Sequence, residues 1–112
     1  MVDTYTKFLN VIKAVKEATP EWPTLDANEE KLLDALAIEW NQYRNVTVLE
    51  AIAMLPSISE STMHRRLTHL VEKGVIKLEV MSSDRRIKVV SPTDLTLNYF
   101  KQLESGFTAL GK

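Results

Sequence analysis

Apolar side chains recur every three or four residues along most of the chain, a pattern that predicts a mainly helical protein. The first such segment covers residues 1–19 and is followed by two prolines, which interrupt helices. The second begins at Asp26, and Glu29 three residues later completes the sequence of a capping box. Both segments are therefore predicted to be amphipathic helices that bury one face.

The middle of the chain has the order of a helix-turn-helix. Thr47 and Glu50 form a second capping-box sequence, and a proline ends the short helix that they open. After a turn, Ser59 is placed to cap another amphipathic helix over residues 59–73, and Gly74 is a typical residue after a helix C-terminus.

The next residues alternate between apolar and polar side chains, which is typical of a β-hairpin. Residues 75–80 and 87–90 are the two predicted strands, and residues 81–86 form the polar turn between them. The last segment is predicted to be a helix that is capped by Ser91 and has Pro92 at its first position.

This order of elements predicts an α+β, mainly α fold, a winged helix-turn-helix with flanking N- and C-terminal helices. We expect a single domain over residues 1–112, made of a terminal helix at 1–19, a core at 26–90 and a second terminal helix at 91–112. The two terminal helices carry aromatic-rich stripes that a small core cannot fully bury. We expect the stripes to pair in a homodimer, although they could instead pack within their own domain. Their apolar positions are Tyr5, Phe8, Leu9, Ile12, Tyr99, Phe100, Leu103 and Phe107.

Positive charge is concentrated in one part of a chain whose net charge is only -1. Residues 59–90 hold seven Lys and Arg against four Asp and Glu, whereas residues 1–58 hold five against nine. The basic segment coincides with the predicted second helix of the motif and the hairpin. A nucleic-acid interface has this pattern, although a local excess of this size is also common by chance.

The composition excludes several classes of chemistry. The chain has no Cys, which rules out disulfides, thiol catalysis and Cys-ligated zinc and fits a reducing cytoplasm. Its three Gly form no phosphate-binding loop, and its two His do not have the spacing of a zinc protease. We therefore expect no enzyme activity, no metal and no cofactor. The absence of a long apolar run and of a signal-peptide layout predicts a cytoplasmic protein without a membrane span.

The second helix of such a motif lies in the DNA major groove, so its outward face is the first candidate interface. Successive residues turn by about 100°, which places Ser61, Arg65 and Thr68 opposite the apolar side. Arg65 could bond to guanine in bidentate fashion. Arg66 points sideways and could contact a phosphate or pair with an acid. The alternative is a solvated polar face without function. The candidate DNA-binding residues of this helix are Ser59, Ser61, Thr62, Arg65, Arg66, Thr68 and His69.

The hairpin turn could reach the neighbouring minor groove, where a narrow groove favours an inserted Arg. Its candidate residues are Ser83, Asp84, Arg85 and Arg86. Asp84 would repel phosphate unless it pairs with an Arg and orients it. Alternatively, Asp and Ser simply form the turn, and the Arg pair protects a hairpin edge from aggregation.

From about Asp26 to Gln102 the chain resembles the MarR family of winged-helix transcription regulators. The segments that carry the resemblance are ISESTMHRRLTHLVEKGVIKLEV and SDRRIKVVSPT. The positions that match the family's motif are Ser59, Ser61, Thr62, Leu70, Gly74, Asp84, Arg85, Arg86 and Thr93. The resemblance implies a homodimer that binds palindromic DNA and, as in many members, responds to a small phenolic ligand. It also implies a wing Arg that enters the minor groove and an Asp that holds it, with Arg86 as the better match to that Arg.

Three features depart from the family's pattern. Arg66 stands where an apolar residue is usual, and Pro92 with Thr93 replaces a Leu-Thr pair. Only one helix fits after Ser91, where family members tend to carry two. The last departure bears on the family's dimer form and on the ligand pocket beside it.

Two functions from different classes therefore fit the sequence. The first is a sequence-specific, double-stranded-DNA-binding transcription regulator. It would be a dimeric repressor that reads the major groove with helix 59–73 and the minor groove with wing 81–86, and it could respond to a small-molecule effector. The second is a winged-helix protein-interaction module in a replication, partition or secretion assembly, which would suit the acidic N-terminal half.

Overall fold

The computed structural model describes residues 3–111, and within this range the chain has five helices and a small antiparallel sheet. The helices are α1 (Asp3–Ala18), α2 (Ala27–Asn41), α3 (Val48–Ala53), α4 (Glu60–Glu72) and α5 (Asp94–Leu110). The strands are β1 (Val46–Thr47), β2 (Ile76–Val80) and β3 (Lys88–Pro92). The predicted fold class, α+β and mainly α with the order of a winged helix-turn-helix, is confirmed.

The chain divides into two compact units. The winged-helix unit is Thr24–Thr93 and contains α2, α3, α4 and the three strands. The terminal unit combines Met1–Pro23 with Asp94–Lys112 and contains α1 and α5. Every element of the predicted DNA-binding motif therefore belongs to the first unit.

Capping side chains fix where three of the helices begin. Asp26 accepts the backbone N–H of Glu29 at 2.8 Å, and the Glu29 carboxylate accepts the N–H of Asp26 at 2.8 Å. Thr47 and Glu50 make the same reciprocal pair at 3.1 and 3.0 Å. Ser59 accepts an N–H from the first turn of α4. The predicted caps are confirmed at all three sites, because a cap needs only groups that are neighbours in sequence.

The C-terminus of α4 is closed by two backbone hydrogen bonds around a left-handed glycine. Gly74 has φ 76° and donates its N–H to the Val71 carbonyl at 3.0 Å. Val75 donates to the Leu70 carbonyl at 2.9 Å, which completes a Schellman motif. The Thr93 hydroxyl then donates to the Gly74 carbonyl at 2.6 Å, so the end of β3 is tied to the helix exit.

The sheet has the order β1-β3-β2, with β3 in the centre. β2 and β3 pair from Ile76 opposite Pro92 to Val80 opposite Lys88, as expected for the hairpin. The two-residue strand β1 also pairs with β3, and the sequence did not predict it because two residues show no periodicity. The predictions that Ser91 caps the last helix and that Pro92 takes its first position are wrong: the strand ladder continues through Pro92, and α5 begins at Asp94.

The core of the winged-helix unit lies between α2, α3, α4 and the base of the sheet. Its buried apolar side chains are Leu32, Leu33, Leu36, Val46, Ala51, Ile52, Met63, Leu67, Leu70, Val75, Ile76 and Val90. Trp40 of α2 donates its indole N–H to the Val90 carbonyl at 3.0 Å. This bond joins α2 to the central strand near the base of the hairpin.

In the terminal unit, α1 packs along α5 through aromatic rings. Phe8 meets Phe107 edge to face, with ring centroids 5.0 Å apart. Trp22 stacks on Tyr99 at 3.9 Å between centroids, and both rings are buried. Sequence reasoning assigned no role to Trp22, because it lies in a proline-containing connection outside any periodic stripe.

The two helices of the terminal unit approach closely at Gly106, where an added Cβ would lie 2.5 Å from Cγ1 of Val11. We expect Gly106→Leu to lower the free energy of unfolding by about 1–3 kcal/mol, because the new side chain must push α1 away. The matched control is Ser105→Leu at the neighbouring exposed position, with an expected change within roughly 0.5 kcal/mol. Urea unfolding curves measure both, and equal stabilities would contradict the close packing.

Candidate nucleic-acid interface

One face of α4 is buried in the core and the opposite face is exposed, as the spacing predicted. Met63, Leu67 and Leu70 are buried. On the opposite face, Ser61, Arg65 and Thr68 are exposed. The Arg65 side chain makes no hydrogen bond or ion pair with another residue in the range 3–111, so its five N–H donors face solvent. The guanidinium of Arg65 is therefore available to an outside ligand on the outward face of α4.

The hydroxyl groups of α4 are partly engaged within the helix. Ser59 donates to Oγ1 of Thr62 at 2.9 Å and lies 3.4 Å from the hydroxyl of Ser61. Thr68 donates to the His64 carbonyl at 2.9 Å. Ser59 and Thr68 therefore keep acceptor capacity for an outside group but have committed their protons.

Arg66 and His69 face the start of α2, and the His69 side chain also remains partly exposed. A terminal nitrogen of Arg66 lies 2.9 Å from a carboxylate oxygen of Asp26 and 3.5 Å from Nδ1 of His69. Of the two partners that the sequence left open for Arg66, a phosphate or an acid, the structure brings it to an acid.

Glu29 is the centre of the contacts between α2 and α4, and its side chain is only 1% exposed. One carboxylate oxygen accepts from Nζ of Lys73 at 2.7 Å as well as from the capping N–H. The other lies 3.9 Å from Nδ1 of His69. Lys73 also donates to the Thr24 carbonyl at 2.9 Å. We call this set the α2–α4 ionic cluster; its members are Asp26, Glu29, Arg66, His69 and Lys73.

Sequence reasoning recognised Glu29 only as a cap and did not single out Lys73. The signal that could have found the cluster is the position of Arg66. A charged residue where an apolar one is usual needs a nearby counter-charge, and the start of α2 offers two acids.

At the tip of the wing, Asp84 holds Arg86 with both carboxylate oxygens. Nε of Arg86 lies 3.1 Å from Oδ1 and a terminal nitrogen 3.0 Å from Oδ2 of Asp84. Oδ1 also accepts the backbone N–H of Arg86 at 3.0 Å. The Arg86 side chain stays 90% exposed, so the pair fixes its direction without burying it. Ser83 and Arg85 are exposed beside it.

The Arg86 side chain and backbone N–H hold the pKa of the Asp84 carboxyl below its ordinary value. Because this pKa is lowered, the Asp84–Arg86 pair is intact at pH values above the ordinary Asp pKa of about 3.9. The pair is lost as pH falls through the lower pKa that Asp84 has in the folded protein. We expect a carboxyl-carbon NMR titration of Asp84 to show a midpoint below that of a free Asp. In Arg86→Ala the midpoint should rise, and an unchanged midpoint would show that the pair does not form in solution.

The predicted dimerisation residues all lie in the terminal unit, but their exposure differs. Tyr99 is buried against Trp22, and Phe8 and Phe107 touch each other. Tyr5 and Leu9 are well exposed on α1, and α1 has no fully buried residue in its described range. The residues of intermediate exposure are Ile12, Phe100, Leu103 and Phe107. Part of each stripe is thus used inside the unit, and part remains at its surface.

An open cavity of about 430 Å³ lies beside the wing, next to the start of α3. It is lined by Thr47, Val48, Leu49, Leu78, Arg86, Ile87 and Lys88. Most of this lining is apolar, and its two charged side chains, Arg86 and Lys88, are both cations. The cavity could hold a small amphipathic molecule with a negative group.

Two kinds of feature are absent from residues 3–111. No group of three or more His, Cys, Asp or Glu in this part of the chain is arranged to hold a metal ion. Within the same range, no helix combines the length and the apolar character that a bilayer span requires.

Neither any protein-family model nor any curated protein matches this sequence. Several solved structures are similar in fold. Ligand-free MarR from E. coli is 18% identical with a TM-score of 0.56, over 91% of this chain and 69% of that one. The heme sensor PefR from Streptococcus agalactiae, in complex with heme, is 17% identical with a TM-score of 0.58, over 97% of this chain and 69% of that one. BpsR from Bordetella bronchiseptica is a protein whose DNA binding is regulated by 6-hydroxynicotinic acid. It is 14% identical with a TM-score of 0.52, over 92% of this chain and 74% of that one.

At these identities the likeness establishes the fold. This chain has the winged helix-turn-helix fold of the MarR-type regulators, as the resemblance of its α4 and wing sequences predicted.

Proposed function

We propose that this protein is a sequence-specific, double-stranded-DNA-binding transcription regulator that acts as a homodimeric repressor and not as an enzyme. The observation that carries the proposal is the exposed Arg65 on the outward face of a capped second helix, followed by a wing with a held Arg86. Regulators of similar fold support it, and one of them, BpsR, has a DNA-binding activity that a small molecule regulates.

In this proposal α4 reads bases in the major groove. Arg65 would donate two hydrogen bonds to the O6 and N7 acceptors of a guanine. Ser61 and Thr62, near the start of α4, would contact bases or phosphates at the groove entrance. Thr68 would act as an acceptor only, because its proton is bonded to the His64 carbonyl.

The wing would place Arg86 in the adjacent minor groove. Because Asp84 holds the guanidinium in a fixed direction, less side-chain freedom is lost on binding than for a free Arg. Arg85 is exposed and makes no ion pair in the described part of the chain, so it is suited to a backbone phosphate.

The homodimer part of the proposal is supported by the exposed apolar side chains of the terminal unit. Tyr5 and Leu9 on α1 and Leu97 and Leu110 on α5 are exposed to water. Pairing of such faces across a two-fold axis would place two α4 helices one DNA turn apart, about 34 Å, and would select a palindromic site.

A small-molecule effector belongs to the proposal as well. PefR is a heme sensor, and 6-hydroxynicotinic acid regulates DNA binding of BpsR. For this chain the cavity beside the wing is the candidate site, because Arg86 lines it. An anionic ligand there would compete with Asp84 for the guanidinium.

The test is in vitro selection of duplex oligonucleotides from a random library, followed by affinity measurements at several salt concentrations. We expect a palindromic consensus and a logarithmic salt slope that counts several released counterions. A selected site without two-fold symmetry would refute the dimer, and no enrichment at all would refute sequence-specific DNA binding.

A winged-helix protein-interaction module is the second candidate, and a specific feature favours it. Leu49 is 80% exposed, and Leu78 and Val80 of the hairpin are also exposed. Such an apolar edge could seat a partner protein. This function predicts no salt-dependent binding to duplex DNA, so the same salt series separates the two candidates.

A further inference from the structure

Three side chains of α4 form a stripe that belongs to neither the core face nor the outward face. Arg66, His69 and Lys73 follow one another at spacings of three and four residues, so they share one side of the helix. That side lies about a quarter turn from the buried Met63–Leu67 face and faces the start of α2.

Each end of the stripe is bound to a different acid. Arg66 pairs with Asp26, and two turns further on Lys73 pairs with Glu29. Both acids are also members of the capping box, so their carboxylates are fixed by hydrogen bonds to the α2 backbone. The two pairs therefore attach α4 at two points to one rigid helix start.

Burial makes this attachment sensitive to the rotation of α4. The Glu29 carboxylate is almost completely removed from water, and such a charge is costly unless a partner stays close to it. Its second oxygen and Nε of Arg66 are buried without a hydrogen-bond partner in the described structure. A rotation of α4 that moved Lys73 away would remove the ion pair of the buried Glu29 carboxylate.

We propose that Arg66 and Lys73 are positioning residues. They set the rotation of α4 about its axis and so direct Arg65 towards the DNA base that it reads. This inference rests on the proposed DNA-binding function and reassigns Arg66 from a DNA contact to a partner of Asp26. The charge of Arg66 is then neutralised within the protein and does not contribute to phosphate binding.

Removing the partner acid separates the two roles of Arg66. If Arg66 contacts a phosphate, loss of the nearby negative charge of Asp26 should leave operator affinity unchanged or raise it. If Arg66 positions α4, Asp26→Asn should lower operator affinity as Arg66→Met does. Asn caps a helix about as well as Asp, so this change removes the ion pair and keeps the cap.

The experiment measures the affinity of wild type, Arg66→Met, Asp26→Asn and the double variant for the selected operator and for a random duplex. We expect each single change to weaken operator binding roughly three- to thirtyfold, and the double variant to be no weaker than the weaker single one. Affinity for random duplex and the salt slope should stay at the wild-type values. Arg66→Lys should recover part of the operator affinity.

Two controls keep the result interpretable. Arg44→Met removes a cation that also pairs with an acid, Glu39, but lies outside α4, and it should leave operator affinity unchanged. Circular dichroism confirms that each variant is folded, and Arg66→Gln replaces Arg66→Met if the latter does not fold.

The outcomes distinguish this inference from the proposed function. A wild type that binds no duplex overturns both. A wild type that binds its operator, with a salt slope reduced by about 0.9 in Arg66→Met and no loss in Asp26→Asn, shows a phosphate contact and overturns the positioning role alone. Variants that all bind as wild type overturn it too.

Discussion

Arg65→Ala should weaken binding to the selected operator by about 5- to 150-fold, equal to roughly 1–3 kcal/mol. The side chain is exposed on the outward face of α4 and has no partner among residues 3–111, so its removal leaves the fold intact. Competition binding with operators changed at single base pairs measures the effect. The variant should also lose its preference for guanine at one position of each half-site.

The matched control for this prediction is Arg44→Ala, which removes an exposed Arg near the start of β1. It should bind the operator as wild type does. Equal losses in the two variants would mean that total charge, and not the reading of a base, accounts for the effect of Arg65.

Leu70→Ala should lower the free energy of unfolding by about 2–5 kcal/mol, because it leaves a cavity in the core of the winged-helix unit. Leu70 is 0% exposed and lies on the inner face of α4, where its carbonyl also accepts the bond that closes the helix. The loss corresponds to a melting temperature lower by roughly 10 °C or more. Thermal and urea unfolding both measure it.

Leu49→Ala is the control for the core substitution, since it makes the same chemical change at an exposed position. Its expected effect is within about 0.5 kcal/mol. A small loss in Leu70→Ala, comparable to that of Leu49→Ala, would contradict the placement of α4 against the core.

The starts of α2, α3 and α4 and the position of the hairpin could be predicted because their signals are local. The Asp26, Thr47 and Ser59 caps each bond to groups within three residues, so the sequence contains the whole interaction. The alternation of apolar and polar side chains over residues 76–80 likewise follows from the pleat of a single strand. The outward face of α4 follows from helix geometry alone.

The remaining features depend on residues that are distant in the sequence. Glu29 and Lys73 are 44 positions apart, and no local pattern announces that they meet. Trp22 stacks on Tyr99 from the far end of the chain. Ser91 has good capping chemistry, but pairing of its strand with β2 competes with the helix start and prevails.

The sequence predicted the exposed side chains of the candidate site, but not the ion pairs between α2 and α4 behind them. Arg65 and Arg86 lie where the spacing and the turn placed them. Arg66 shows why the rest could not be predicted: its position on the helix allowed two partners, and only the fold brings Asp26 to it.

The fully buried residues of the hairpin are Ile76 and Val90, and no residue in the range 77–89 between them is fully buried. Ile76 and Val90 are buried at the base, where Trp40 binds the central strand, whereas Lys77 to Val80 are exposed. Backbone amides near the base should therefore exchange with solvent only through large openings, and those of the tip through small local ones. In the proposed DNA complex, the wing would act as an arm of graded stiffness, which adjusts the depth of its tip in a groove while the core stays closed.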